Sequence, residues 1–311
     1  MNRSGARGLS VCQSFEIMCG VLPFEHGRLH CSAIERRVQA RPLPDFEAPP
    51  VVEVSLGVQF EPLEGLRTPQ VGLLWQEFRQ DFPGIEEHPP LESVQETFGK
   101  PRVAPQISLE LKELPLAPRV FFLDAEGTAL IQVQQDRFIH NWRKLDDSQV
   151  YPRYDGKLRG DFIGAYTKFE QFLERENLGH PEPNQCEVTY VNIVGSDSGS
   201  PDLFKILAVL RGDGYAEEFL PDAEDVRLAL RFRILGDDQS PLGRLHIAVE
   251  PAVRRSSGEM VYRLTLTARG GPLGTGLDGA LRFLDLGREW VVRGFASITT
   301  PKMHELWRRR K

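Results

Sequence analysis

The chain predicts an α+β protein of antiparallel sheet and long amphipathic helices, and three observations carry that expectation. Residues 51–60, VVEVSLGVQF, alternate strictly: Val52, Val54, Leu56, Val58 and Phe60 fall on one face, Glu53, Ser55 and Gln59 on the other. Residues 226–234, VRLALRFRI, repeat the pattern, with Val226, Leu228, Leu230, Phe232 and Ile234 set against Arg227, Arg231 and Arg233. A period of two marks a strand with one face on a core and the other toward solvent or a partner, as antiparallel sheets provide; a doubly covered parallel strand reads as a continuous apolar run. The third observation is a stripe of helical period after each group of strands, over 158–173 and from about 277 to 298.

After the first strand, Thr68 and Pro69 form a helix start, because proline at the first helical position gives up an N–H that has no partner there anyway. Val71, Leu74, Trp75, Phe78 and Phe82 then make one apolar stripe, closed by Pro83-Gly84. Strands are expected over 107–111, 119–123, 128–134 and 137–142, with Asp124-Ala125-Glu126-Gly127 as a hairpin loop carrying glycine at its left-handed position. The helix of 158–173 stops at Asn177-Leu178-Gly179, and a strand over 186–194 follows. The second half repeats the order: strands at 226–234, near 243–250 and at 260–268, then the long helix, with Thr300-Pro301 opening a last short one. The expected organisation is a tail or non-native extension over 1–47 (Met18 is an internal alternative start), an N-terminal half over 48–195 and a C-terminal half over 196–311. Each half is expected to be an antiparallel sheet packed by a long amphipathic helix, related by internal duplication.

A hydrophobic fraction of 41% and a charged fraction of 26% allow a substantial core. The net charge of -6 argues against wholesale binding of nucleic acid or anionic membrane. No run of 18 apolar residues occurs, and Gln13, Ser14 and Glu16 break the only stretch resembling a signal h-region, so the expected location is cytoplasmic. Cys12, Cys19 and Cys31 cluster near the start, Cys186 stands alone, and none has CxxC spacing; neither metal, cofactor nor redox dithiol is signalled.

Gly274 to Gly279 spells GxGxxG between a strand and a helix, but no strand follows that helix, so the crossover a dinucleotide site needs is missing. GxSxG, HExxH and Walker A patterns are absent, and the seven histidines are scattered. The chain therefore leans away from being an enzyme, and no catalytic residue is assigned.

Two constellations remain. Arg227, Arg231 and Arg233 point away from the core if the alternation holds, and Arg263 and His246 on neighbouring strands share that face. A guanidinium fork suits carboxylate or phosphate, so an acidic protein or an RNA backbone could dock there, although no aromatics interleave to stack bases; the other reading is a solvated face, or one packing on the other half. Arginine outnumbers lysine 30 to 8, which weakens each arginine as evidence on its own. The second constellation, Trp142 with Tyr151 and Tyr154, lies between a strand and a helix, where aromatics either line a pocket or fill the gap between helix and sheet.

Four segments, APPVVEVSLGVQFEPL, YPRYDGKLRGDFIGAYTKFEQFL, EVTYVNIV and LDLGREWVVRGFASITTPKMHELW, together resemble a sporadically distributed family of uncharacterised bacterial and archaeal proteins. That family has a Pro-Pro-hydrophobic-Val-Glu opening strand and a closing helix ending near a Trp, and the likeness spans about 48–311. It implies no activity and supplies no catalytic residues; patchy distribution suits an accessory gene, such as a defence or toxin-neutralising partner. The expected function is a non-catalytic protein-binding module acting on an unidentified protein partner. The alternatives are a small-ligand binder with an apolar cavity between sheet and helix, and an enzyme of unrecognised type.

Overall fold

The computed structural model describes residues 42–99, 118–195, 203–210, 226–254 and 257–310. Nine strands form one antiparallel sheet: β1 (Val51–Phe60), β2 (Gly84–His88), β3 (Arg119–Leu123), β4 (Ala129–Gln134), β5 (Arg137–Arg143), β6 (Pro183–Val194), β7 (Leu228–Leu235), β8 (Pro241–Val253) and β9 (Met260–Gly270). The helices are α1 (Thr68–Phe78), α2 (Arg159–Arg175), α3 (Leu203–Ile206), α4 (Gly276–Ile298) and α5 (Pro301–Leu306). The strand order is β2-β3-β4-β5-β1-β6-β9-β8-β7. The expected strand over 107–111 and Cys12, Cys19 and Cys31 lie outside the described residues.

Where two sheets were expected, the described residues hold one. The reason is the central pair: β1 runs antiparallel to β6 with Val54 opposite Tyr190, Leu56 opposite Val188 and Val58 opposite Cys186. These apolar side chains join the two apolar faces into one, which continues through Leu266 and Ala268 of β9 to Leu245 and Ile247 of β8. Separating the halves at 195 would expose that seam.

Helices cover this face. α2 packs on β5, α1 on β3 and α2, and α4 on β6, β8 and β9. Phe138 of β5 meets the rings of Phe162, Tyr166 and Phe169 on α2 at centroid distances of 6.2, 5.4 and 5.1 Å. The long helix sits close to its strands because Gly270 leaves room: a Cβ there would meet the Phe283 ring at 2.4 Å and the Leu242 carbonyl oxygen at 2.3 Å. α5 is capped as its sequence predicts, the Thr300 side chain accepting from the Met303 N–H.

Residues 43–47 belong to the same compact unit, Leu43–Lys311. Phe46 is buried against Phe295, His304 and Trp307, and the N–H groups of Glu47 and Ala48 donate to the Arg308 and Trp307 carbonyls. The apolar ring at position 46 draws the chain onto the C-terminal helices. Among the described residues no helix is long and apolar enough to cross a membrane.

Candidate functional site

The face of the sheet away from the helices is polar, and its most informative feature is an extended strap. Residues 89–98 leave β2 without regular structure and cross this face. A backbone outside the ladder must find other partners for its N–H and C=O groups. Glutamines on the sheet provide them. Gln134 accepts from the Leu91 N–H (2.8 Å) and donates to its carbonyl (2.9 Å); Gln59 accepts from the Val94 N–H and Gln185 from the Glu96 N–H, both at 3.1 Å. Arg137 donates to the Glu92 carbonyl and Arg244 to that of Thr97. Gln59, Gln134 and Gln185 are therefore buried, and the partner that Gln59 meets on the outward face of β1 is the chain's own strap. A cavity of about 480 Å³ beside the strap is lined by Gln59, Arg137, Gln185 and Arg269, among others.

The strap delivers Glu96 to a cationic nest. Its side chain is only 2% exposed and bonds Arg244, while Nε2 of His246 lies 2.6 Å and Nη1 of Arg269 3.7 Å from its carboxylate. Burial pushes this carboxyl up, but the hydrogen bond and charge of His246 and the charges of Arg244 and Arg269 outweigh it and hold the group below its usual range. The Arg244 guanidinium also stacks over Phe98, 4.7 Å from the ring centroid.

Strand register explains why so much positive charge gathers here. Arg233 of β7 is directly opposite Arg244 of β8, which is opposite Arg269 of β9. One strand further on, Arg269 is opposite Glu187 and bonds it. Like charges directly opposite on a sheet face repel. Anions relieve two of the three: Glu96 touches Arg244 and Arg269, and Glu187 touches Arg269. Arg233 has no side-chain partner among the described residues, and neither does Arg231, which lies opposite His246; both are exposed.

The five predicted residues of the C-terminal half thus lie on one face. Arg227 is exposed and helps hold the Glu250 carboxyl low, secondary to the hydrogen bond from Arg263, the cross-strand partner of Glu250. Trp142, Tyr151 and Tyr154 lie on the opposite, helix-covered side. Trp142 is buried and packs on Tyr151 at 5.7 Å; Tyr154 is buried and donates to Asp285 at 2.8 Å. Tyr151 and Tyr154 border a half-open cavity of about 400 Å³ between α4 and the sheet, whereas Trp142 does not reach it. Sequence reasoning missed Glu96, Arg244 and Arg269 on the polar face, and Tyr190 and Arg288 around this cavity. The usable signal on the polar face was the recurrence of glutamine at outward positions of β1, β4 and β6.

Cys186 is fully buried, and burial pushes its thiol up to about 12. Among the described residues no three His, Cys, Asp or Glu side chains gather as metal ligands. No protein-family model matches the chain, and neither the curated proteins nor the solved structures contain a match.

Proposed function

We propose that the protein is a non-catalytic binding module whose arginine-bearing sheet face captures an acidic, extended segment of a partner protein. The observation that carries this reading is Glu96. An acidic side chain on an extended backbone already sits on Arg244, His246 and Arg269, so the face is built to receive that chemistry. Arg231 and Arg233 continue the same surface without an anion among the described residues, and Arg227 extends it. Exposed guanidiniums beside a filled carboxylate site favour an acidic partner over a neutral one.

The rest of the reading follows from the sequence. It places the module in the cytoplasm, as an accessory protein with the likeness over 48–311 described above, and as an ancient duplication. The order β1-α1-β3-β4-β5-α2 matches β6-α3-β7-β8-β9-α4, and the sheet order mirrors about the β1–β6 pair, with β2 added at one edge. The second copy then begins at β6 and not at residue 196.

Fluorescence anisotropy with a labelled Asp/Glu-rich peptide tests the binding face. Changing Arg227, Arg231 and Arg233 together to Glu should abolish binding, and the affinity of the unaltered protein should fall steeply with salt. Equal peptide affinity for the triple variant and the original sinks the proposal.

A further inference from the structure

We propose that the cavity between α4 and the sheet is a second, independent site, one that binds a small hydrophobic carboxylate. Its volume of about 400 Å³ falls in the range of small-molecule pockets. Val51, Tyr190 and Leu266 of the sheet and Val291, Val292 and Phe295 of α4 form its apolar part. These surfaces suit an aliphatic or aromatic body.

The polar groups at its border call for an acceptor. Tyr151 and Tyr190 share one hydrogen bond of 2.8 Å between their hydroxyls. That bond uses one of the two O–H protons, and the other has no acceptor among the described residues. Arg288 reaches Asp155 through Nη2 at 3.0 Å, but its buried Nε has no partner among the described residues. Three guanidiniums line the cavity, each with a carboxylate beside it: Arg153 with Asp45, Arg288 with Asp155 and Arg310 with Glu47. A carboxylate ligand would offer the missing acceptor, and its charged oxygens make stronger hydrogen bonds to a phenol and a guanidinium than an amide carbonyl does.

The backbone at the border is strained in a way that points to function. Arg153 has φ 68° and ψ 145°, a region that residues with a Cβ rarely occupy, and it leads directly into a single π-helical turn, Tyr154–Leu158. The strain is held by the Arg153 guanidinium, which donates to the Asp45 carboxylate and the Phe46 carbonyl, both at 2.8 Å. The same contacts fix residues 45 and 46 against the opening. Strain and an unspent phenol proton thus meet at one chamber, which plain packing between helix and sheet does not require.

The test uses the full chain and two probes of equal shape, 3-phenylpropionate and its amide, followed by ligand-observed NMR and calorimetry. The acid should bind at least roughly tenfold more tightly than the amide. Tyr151→Phe and Arg288→Gln should each remove most of that preference while leaving amide binding unchanged. Val292→Trp, which fills the chamber, should abolish binding of both, and circular dichroism establishes that each variant is folded. Equal affinity for acid and amide overturns the proposal, and so does a preference that survives Tyr151→Phe and Arg288→Gln. Absence of binding by the acid and by a panel of branched and aromatic carboxylates at about 5 mM, well above the weakest useful affinities, also overturns it. The Arg227, Arg231 and Arg233 variant should bind the acid normally, so failure of one site is distinguishable from failure of the other.

Discussion

The carboxylate of Glu96 lies 2.6 Å from Nε2 of His246, although 150 positions separate the two residues. This contact anchors the far end of the strap, and the same carboxylate relieves the repulsion between Arg244 and Arg269. Glu96→Gln keeps the shape but removes the charge, and should cost about 1–3 kcal/mol of stability, read from the urea midpoint. Acidic-peptide affinity should rise in the same variant, since the nest loses its internal anion. Unchanged stability together with unchanged affinity would show that the strap is merely resting on the face.

The same carboxyl gives the protein an acid-sensitive element. Its value in the folded state is lowered, so its contribution is complete above the ordinary carboxylate range and is lost as pH falls through the lowered value. The difference in stability between the original and Glu96→Gln should therefore shrink in strong acid and be greatest near neutrality. Denaturation at several pH values checks the sign.

His140 acts at higher pH. It is buried, and burial lowers it from 6.5 to about 4. Between those values the unfolded chain binds the proton and the folded chain does not, so stability rises with pH across that window and falls on acidification. The size is about 3 kcal/mol between pH 7 and 4. His140→Gln should flatten that limb of the stability profile, and an identical slope in the variant would count against this origin.

Two core substitutions probe the helix-covered face. Phe138→Ala should cost about 3–5 kcal/mol, because it empties the space between Phe162, Tyr166 and Phe169. Gly270→Ala should cost about 1–3 kcal/mol by forcing Phe283 and the Leu242 carbonyl apart. Thermal and urea unfolding report both.

Cys186 should be silent toward Ellman's reagent in the native protein once Cys12, Cys19 and Cys31 are replaced by Ser. It should react when denaturant opens the sheet. Rapid native labelling would show that β6 is more accessible than its burial indicates.

The alternation of Val54, Leu56 and Val58 made β1 legible, because period two needs only local information. The helical stripe of Phe162, Ala165, Tyr166 and Phe169 did the same for α2. The arginine face was legible by parity: once β7, β8 and β9 were recognised, Arg231, His246 and Arg263 had to emerge on one side. The strap was not. Residues 89–98 have no period, and Gln59, Gln134 and Gln185 look like solvated positions until a distant backbone is seen bonded to them. Nor does any local pattern pair β1 with β6, and that pairing turned two expected sheets into one. β2, with Glu86 and Glu87 exposed on a five-residue edge, carried no apolar alternation to reveal it.

The β1–β6 seam has a consequence for biosynthesis. During translation β5 can join β1 early, but the other edge of β1 must wait until β6 emerges, roughly 120 residues later. At ribosomal speeds that is on the order of ten seconds. Throughout that interval the nascent chain presents an unpaired strand with Val54, Leu56 and Val58 along it, the kind of edge that recruits stray strands from other chains. Truncations ending before Pro183 should therefore precipitate, and a chaperone that shields nascent strands should raise the yield of the full chain far more than its stability.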